Sequence, residues 1–323
     1  MTNQPILGIH HITAIAGNPQ TNLDFYAGVL GLRLVKLTVN FDDPGTYHLY
    51  YGDGAGHPGT ILTFFPWPHA PRGRRGTGQV TSTVFAIPEN ASGYWTARLA
   101  EHRVAFRGPF DRFGEPVISL ADPDGMQIEL VATSAARDDR AFSAGPVPLA
   151  FAIRGVHSAT LSEADARDTA ALLTGAMGFR LLAQDGNRSR YAVESGGPAA
   201  LVDILHSPGE HPGRVLAGAV HHIAWRTADD QQQRHWLAEL TRLNYRVSPV
   251  MDRKYFHSIY YREPGGILFE IATDPPGFTV DEAPEALGSR LVLPPWLEPE
   301  RARLEATLPP LRLPSAAVPE VRS

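Results

Sequence analysis

The sequence predicts an α+β protein in which two tandem domains are built from four βαβββ modules. Three stretches of the first half return in the second half in the same order. Residues 8–12 return as 155–159, 28–34 as 175–181, and 122–129 as 263–270. A repeat of this length indicates a duplicated domain and not a solenoid of short units. The length of 323 residues also favours about two domains.

The first module shows the order of elements. An Ile-rich strand is predicted over residues 7–16. Apolar residues then recur at helical spacing at Leu23, Tyr26 and Leu30, and Gly31 suits the left-handed residue that ends a helix. Three alternating strands follow, over 33–40, 46–52 and 59–65.

The other modules repeat this order. Module two has a strand over 81–87, a helix over 92–102 and a closing hairpin that turns at 122–125. Module three begins at Ile153 and module four at Ala219. Module four has a helix over 230–243, and Pro and Gly residues turn its closing hairpin at 263–266.

The repeat also sets the predicted domain boundaries. We expect an N-terminal domain over residues 1–145, a C-terminal domain over 150–280, and a Pro-rich tail over 281–323. The tail is expected to contain one short helix near 300–308, to lie over the outside of the protein, and to carry no chemistry.

Composition excludes several kinds of function. A net charge of −5 argues against a nucleic-acid or anionic-membrane partner. The chain has no cysteine, which excludes disulfides, thiolate ligands and Cys nucleophiles and fits a reducing compartment. No stretch approaches the roughly 18 apolar residues of a transmembrane helix, and no signal peptide is evident. We therefore expect a cytoplasmic protein. A homo-oligomer is compatible with the sequence, which does not fix the oligomeric state.

The first strands of modules one and four carry His pairs. These are His10–His11 and His221–His222, and the last strand of module four carries Glu270. Two imidazoles and one carboxylate form a facial triad that leaves open positions on an octahedral metal, which suits Fe(II) oxygen chemistry. Because neighbouring strand residues point to opposite faces, only one His of each pair can face a given pocket. The pattern alone does not say which.

These features resemble the vicinal-oxygen-chelate superfamily. That superfamily includes glyoxalase I, extradiol ring-cleaving dioxygenases and bleomycin- or fosfomycin-resistance proteins, and the chain is most similar to its hydroquinone-opening dioxygenases. The matching stretches, within residues 5–285, are 7–13, 47–50, 220–222 and 252–274. The resemblance implies the glyoxalase/extradiol dioxygenase fold and an oxidoreductase that incorporates both atoms of O2.

The resemblance also implies which residues hold the metal. They are the second His of each pair and the Glu: His11, His222 and Glu270. The implied ion is Fe(II), with Mn(II) as an alternative. Because these ligands come from modules one and four, we expect the site to lie between the two predicted domains.

A second site would be expected by symmetry. We place its equivalent positions at His157, Ser82 and Glu129. Because Ser82 replaces a His, only two ligands remain, and we expect no metal there.

Three residues are predicted to handle protons beside the metal: Tyr260, His10 and His221. A three-residue loop at the closing turn would set Tyr260 opposite Glu270, where its phenol can bond a substrate oxygen or shuttle a proton. His10 and His221 face away from the ligands locally, and their weight comes from the resemblance.

Thr13 and Arg253 are the candidate substrate-binding residues. Thr13 shares a strand face with His11, and Arg253 could stabilise a phenolate or a ring-cleavage anion. An ordinary strand Thr and a surface Arg are the alternatives. His48 and His257 are weaker candidates. Core packing is favoured over a place in the pocket wall for Phe64, Phe65 and Trp225.

The expected function is a Fe(II)-dependent dioxygenase that opens the ring of a hydroquinone- or catechol-type diol with O2. Two alternatives stay open: a metal-dependent glyoxalase-type isomerase or lyase, and a non-enzymatic protein that sequesters a small molecule. The first usually requires a fourth protein ligand, and the second usually has no intact triad. The sequence does not separate a 1,2-diol from a 1,4-diol, or a catabolic from a detoxifying role.

Overall fold

The computed structural model describes residues 5–136, 141–194 and 196–314. Module one consists of β1 (Ile9–Ala16), α1 (Pro19–Leu23) with a π-helical continuation (Asp24–Val29), β2 (Arg33–Asn40), β3 (Asp43–Gly52) and β4 (Ile61–Pro66). Module two consists of β5 (Gln79–Pro88), α2 (Ser92–Glu101), β6 (Phe106–Arg112), β7 (Glu115–Ala121) and β8 (Gln127–Thr133).

The second half repeats the same order. Module three consists of β9 (Val156–Glu163), α3 (Arg167–Gly175), β10 (Arg180–Asp185), β11 (Arg188–Ala192) and β12 (Leu201–His206). Module four consists of β13 (Ala219–Thr227), α4 (Asp230–Arg242), β14 (Met251–Asp252), β15 (Phe256–Arg262) and β16 (Leu268–Pro276). The predicted α+β fold of four βαβββ modules is confirmed.

Local chemistry explains where the helices begin. The side chain of Asn18 accepts a hydrogen bond from the backbone of Thr21 and precedes Pro19 at the first helical position. Asp229 caps α4 in the same way by accepting from the backbone of Gln232. Gly31 has a φ of +71°, the left-handed conformation predicted for the end of the first helix. None of the helices among the described residues is long and apolar enough to cross a membrane.

Each sheet takes one module from each half of the sequence. The first sheet, here called the site sheet, has the order β14-β15-β16-β13-β1-β4-β3-β2 and joins modules one and four. The second, the companion sheet, has the order β10-β11-β12-β9-β5-β8-β7-β6 and joins modules two and three. The predicted domain boundaries, 1–145 and 150–280, stay a prediction. Each sheet combines strands from both predicted domains, so the sheets do not divide the chain at this boundary.

The first part of the tail is exposed at residues 283–285 and has buried side chains on either side of them, so it is anchored to the protein, and its course over the outside stays a prediction. Glu282 and Leu287 are buried. The fully buried Lys36 donates to Asp281 at 2.6 Å and also to Glu282. Lys254 approaches the same Asp281 at 2.5 Å. These ion pairs connect the start of the tail to modules one and four. Further on, α5 (Arg301–Thr307) confirms the predicted short helix.

Candidate metal centre

The three predicted ligands meet on neighbouring strands of the site sheet. His11 lies on β1, His222 on β13 and Glu270 on β16, and one ligand atom from each lies within 4.8 Å of the other two. The Nε2 atom of His222 lies 2.9 Å from Oε2 of Glu270, and Nε2 of His11 lies 3.4 Å from the same oxygen. The sequence pattern left the choice within each His pair open; in the structure the second member of each pair points Nε2 at Glu270.

Glu270 uses its two oxygens differently. Oε1 accepts a hydrogen bond from Ser258 Oγ. Oε2 faces the two imidazoles, is buried, and makes no hydrogen bond with the described residues. Burial alone would raise the pKa of Glu270, but His11 and His222 outweigh it and hold that pKa well below its ordinary value. An ionised, buried oxygen between two imidazole nitrogens fits a divalent metal ion.

The first His of each pair contacts the second. Nδ1 of His10 lies 2.9 Å from Nδ1 of His11, and Nδ1 of His221 lies 2.8 Å from Nδ1 of His222. Burial, followed by the charge of the adjacent His, lowers the pKa of His10 well below its ordinary value and that of His221 to about 3. Two neutral rings can accept these hydrogen bonds, so each ligand can keep its proton on Nδ1 and present Nε2 to a metal.

His10 and His221 differ in their access to substrate. His221 lines the cavity beside the triad. His10 is not among the cavity-lining residues; it is buried with its ring 5.1 Å from that of Phe256. The sequence predicted the same role for both, and the structure gives them different surroundings.

An aromatic-lined cavity of about 320 Å³ opens beside the triad. Its rings include Phe41, Tyr50, Phe65, Trp67 and Phe256. The volume and the apolar wall suit a small aromatic molecule, with a few polar groups left to orient it. Phe65 therefore forms part of the pocket wall, whereas Phe64 and Trp225 are fully buried core residues.

Tyr260 lies directly opposite Glu270 in the β15–β16 pairing, which confirms the predicted register. Its hydroxyl accepts a hydrogen bond from Arg253 Nε at 3.2 Å, and Arg253 also pairs with Asp42 at 3.0 Å. Burial, followed by the charge of Glu270, raises the pKa of Tyr260 above its ordinary value although Arg253 acts against this. The phenol is therefore protonated at neutral pH and can donate a hydrogen bond into the cavity.

Thr13 and His48 belong to one hydrogen-bonded chain. Thr63 donates to Thr13 at 2.9 Å, and Nε2 of His48 lies 2.8 Å from the Thr63 hydroxyl. Thr13 and His48 both line the cavity. His257 lies elsewhere, with Nδ1 2.6 Å from Asp230.

Sequence reasoning missed two residues of this centre. Ser258 lies two residues before Tyr260 and therefore on the same face of β15. This alternation could have placed Ser258 beside Glu270. Asp42 lies between β2 and β3 and lines the cavity. No pattern in the sequence points to it.

The companion sheet corrects the predicted second site. Thr160 pairs with Ser82 there as Thr13 pairs with His222 in the site sheet. The counterpart of His11 is therefore Ser158, and the predicted His157 is the counterpart of His10. The error was a shift of one residue, which moves a strand side chain to the opposite face.

The remaining carboxylate of the companion sheet has a different partner. Glu129 accepts two hydrogen bonds from Arg112, one of them at 2.9 Å. Nearby, Arg190 donates to Asp203 and to Glu115, each at 2.8 Å. Guanidinium groups thus face the carboxylates in this sheet.

Comparison with known proteins agrees with this architecture. The family model of the Glyoxalase/Bleomycin resistance protein/Dioxygenase superfamily matches residues 8–130 and 155–271. MhqO of Bacillus subtilis (strain 168), which carries the name of a ring-cleaving dioxygenase, is 47% identical over 307 residues, which are 95% of this chain and 97% of MhqO. The chlorohydroquinone/hydroquinone 1,2-dioxygenase of Sphingobium indicum is 36% identical over 311 residues, 93% of this chain and 95% of that protein.

Solved structures show the same relation. A Bacillus subtilis protein that is named as a dioxygenase superposes with a TM-score of 0.91 and 46% identity, over 96% of this chain and 99% of that one. Glyoxalase I from Zea mays superposes with a TM-score of 0.61 and 14% identity, over 83% of this chain and 92% of that one. The second likeness concerns the fold alone.

Proposed function

Since this chain belongs to the Glyoxalase/Bleomycin resistance protein/Dioxygenase superfamily, we propose that it is a metal-dependent dioxygenase that opens the ring of a hydroquinone- or catechol-type diol with O2. One observation carries the proposal: the buried triad of His11, His222 and Glu270 lies at the wall of an aromatic-lined cavity. The names of two relatives, each of which the chain matches over nearly its whole length, support ring cleavage as the reaction.

His11, His222 and Glu270 would hold the metal. Fe(II) is the proposed ion and Mn(II) the alternative, because two imidazoles and a carboxylate are the donor set of oxygen-using non-haem metals. When bound, such an ion supplies the redox chemistry that lets an aromatic diol react with dioxygen. Ser258 holds Oε1 of Glu270, which leaves Oε2 directed at the metal position.

The polar residues of the cavity would orient the substrate and stabilise its charge. The protonated Tyr260 can donate a hydrogen bond to a substrate oxygen, and Arg253 beside it brings a positive charge close to a phenolate. Thr13 shares the face of His11 and offers a hydroxyl at the same wall. His221 and the buried His10 would set the tautomer of the two ligands.

The aromatic wall would hold the ring and exclude water. Phe256 packs against His11 with ring centroids 4.9 Å apart. A flat ring between aromatic side chains buries apolar surface, and a dry site strengthens the hydrogen bonds and charges that act within it.

Oxygen uptake by the metal-loaded protein tests this proposal. The protein is loaded anaerobically with Fe(II), and O2 uptake is followed with hydroquinone, methylhydroquinone and catechol. We expect one O2 consumed per diol, a product whose mass equals diol plus O2, and loss of both in Glu270→Gln. Tight binding of one metal per chain without O2 uptake on any diol would contradict the dioxygenase proposal and favour metal-dependent isomerase chemistry.

A further inference from the structure

The turn between β2 and β3 forms one side of the cavity. This turn, here called the wall turn, consists of Phe41 and Asp42, and both residues line the cavity. The side chain of Asp42 is 63% exposed, so the wall turn lies where the cavity meets solvent. A short exposed turn is more mobile than the strands that it connects, so contacts from elsewhere must hold it in one position.

One contact of the wall turn is made by Asp42. Its carboxylate lies 3.0 Å from a guanidinium nitrogen of Arg253, and Nε of Arg253 donates to the Tyr260 hydroxyl at 3.2 Å. An ion pair with one largely exposed partner contributes little free energy. The position of Asp42 therefore bears on the surroundings of Tyr260, but the ion pair alone does not fix the wall turn.

A second contact of the wall turn comes from the tail. The indole of Trp296 meets the ring of Phe41 edge to face, with centroids 5.5 Å apart and planes at 78°. This is a preferred arrangement of two aromatic rings, and it stabilises the pair beyond the surface that the rings bury. Trp296 is not among the cavity-lining residues, so its ring supports the wall turn from outside the cavity.

The tail places Trp296 without help from the indole ring. The backbone N–H of Val292 donates to the carbonyl of Leu37 on β2 at 2.9 Å. Leu293 and Leu297 are buried on either side of Trp296, whereas Trp296 itself is 51% exposed. A half-exposed ring on a segment that is anchored by its neighbours adds little to the stability of the fold.

We propose that Trp296 is a positioning residue of the proposed active site: its contact with Phe41 holds the wall turn in place and keeps Asp42 within reach of Arg253. This inference rests on the proposed function. It gives a role to the tail, which the sequence predicted to carry no chemistry. A wall turn without this contact is less ordered, and substrate binding must then order it, which weakens binding.

Three variants test this role. Trp296→Ala removes the ring contact, and Trp296→Phe retains an aromatic ring. Val280→Ala is the matched control, because Val280 is 53% exposed and does not line the cavity. Anaerobic calorimetry on the metal-loaded protein measures the binding of hydroquinone, and oxygen uptake gives kcat and KM. Amide hydrogen exchange measures the order of the wall turn.

We expect Trp296→Ala to weaken hydroquinone binding and to raise KM by about two- to tenfold, the contribution of one aromatic pair. Because this change concerns binding that is equal for substrate and transition state, kcat should not change. Amide exchange in the wall turn should become faster, with metal content and melting temperature as in the wild type. Trp296→Phe should restore most of the affinity, and Val280→Ala should change none of these values.

A double-mutant cycle with Asp42→Asn tests whether Trp296 acts through the wall turn. If it does, the two substitutions together should weaken hydroquinone binding by less than the product of their separate effects. A combined effect equal to that product, unchanged binding in Trp296→Ala, or an equal loss in Val280→Ala would overturn the proposal.

Hydrogen exchange distinguishes failure of this inference from failure of the proposed function, because it needs no substrate. Faster exchange in the wall turn of Trp296→Ala, in a protein that consumes no O2 with any diol, would support the role of Trp296 in ordering the turn and contradict the dioxygenase proposal. Unchanged exchange and unchanged KM, in a protein that consumes O2 with hydroquinone, would contradict the role of Trp296 alone.

Discussion

Corresponding strand positions of the site sheet and the companion sheet carry different side chains. The three positions that meet in the site sheet carry His11, His222 and Glu270. The corresponding positions of the companion sheet carry Ser158, Ser82 and Glu129. Only the carboxylate is common to both.

The two carboxylates have different partners, and this difference indicates different roles for the two sheets. Glu270 directs one oxygen at two imidazole nitrogens, and no Lys or Arg within residues 5–136, 141–194 and 196–314 forms an ion pair with it. Glu129 is neutralised by the two hydrogen bonds of Arg112. A carboxylate bound by a guanidinium is satisfied within the protein, whereas one between imidazoles can bind an exchangeable cation. On the proposed function, the position of Glu270 serves metal binding and that of Glu129 serves structure.

Matched substitutions at corresponding positions should give the largest effect. His222→Ala removes one of the three proposed metal ligands, so metal binding and O2 uptake should fall by more than about a hundredfold, beyond the loss seen for residues that only orient a ligand. Ser82→Ala at the corresponding position should leave both within about twofold. Metal content after gel filtration and oxygen-electrode rates measure the two effects. Comparable losses in the two variants would break the comparison.

Tyr260→Phe should have the next largest effect. Loss of the phenol that faces Glu270 should lower kcat by about a hundredfold, the lower range for a positioned acid or base, with the metal content unchanged. Single-turnover rates in anaerobically loaded protein measure this effect. A variant with wild-type kcat would show that Tyr260 is only part of the wall.

Arg112→Met tests the structural role of the companion sheet. Glu129 would remain nine-tenths buried or more without its guanidinium partner, so the free energy of unfolding should fall by about 2 kcal/mol, less than for a fully buried pair. Ring cleavage should not change, because the substitution lies in the other sheet. Urea unfolding and kcat measured on one preparation decide between a structural and a catalytic role; a change in kcat at unchanged stability contradicts this account.

The closing turns of modules two and four each contact the region of another module's first strand. The two contacts involve different carboxyl groups, and we expect their pH dependence to differ. Asp124 accepts a hydrogen bond from the backbone of Gly17 at 2.8 Å. Near the other turn, burial and the charge of Glu263 raise the pKa of Glu163 to about 8. Glu163 packs against the turn that connects β15 and β16 at Gly265.

A raised carboxyl pKa stabilises the protein while the group stays protonated. This contribution should be complete below the ordinary pKa of Glu and should be lost as the pH rises through about 8. We expect the melting temperature to fall between neutral and alkaline pH in the wild type, and to fall less in Glu163→Gln. Identical pH profiles for the two proteins would show that Glu163 is already ionised at neutral pH.

Periodicity and repeat predicted the parts of this molecule that depend on strand alternation. The module order, the position of Tyr260 opposite Glu270 and the family were all confirmed. Alternation also narrowed each His pair to one member per face, but only the family resemblance chose between them. The same rule, misapplied by one residue, put His157 where Ser158 lies.

Other features depend on contacts between distant parts of the chain. Lys36 binds Asp281, which lies 245 residues away, and the sequence around either residue has no pattern that would pair them. Arg112 faces Glu129 because β6, β7 and β8 are adjacent in the companion sheet. The hydrogen bond of His48 likewise depends on Thr63, a residue on another strand.

The most direct test of the central claim is a metal-loaded crystal structure with anomalous diffraction recorded at the iron edge. We predict one anomalous peak per chain, bonded to His11, His222 and Glu270, and none beside Ser158, Ser82 and Glu129. A peak in the companion sheet, or a metal that does not contact all three predicted ligands, would contradict the account.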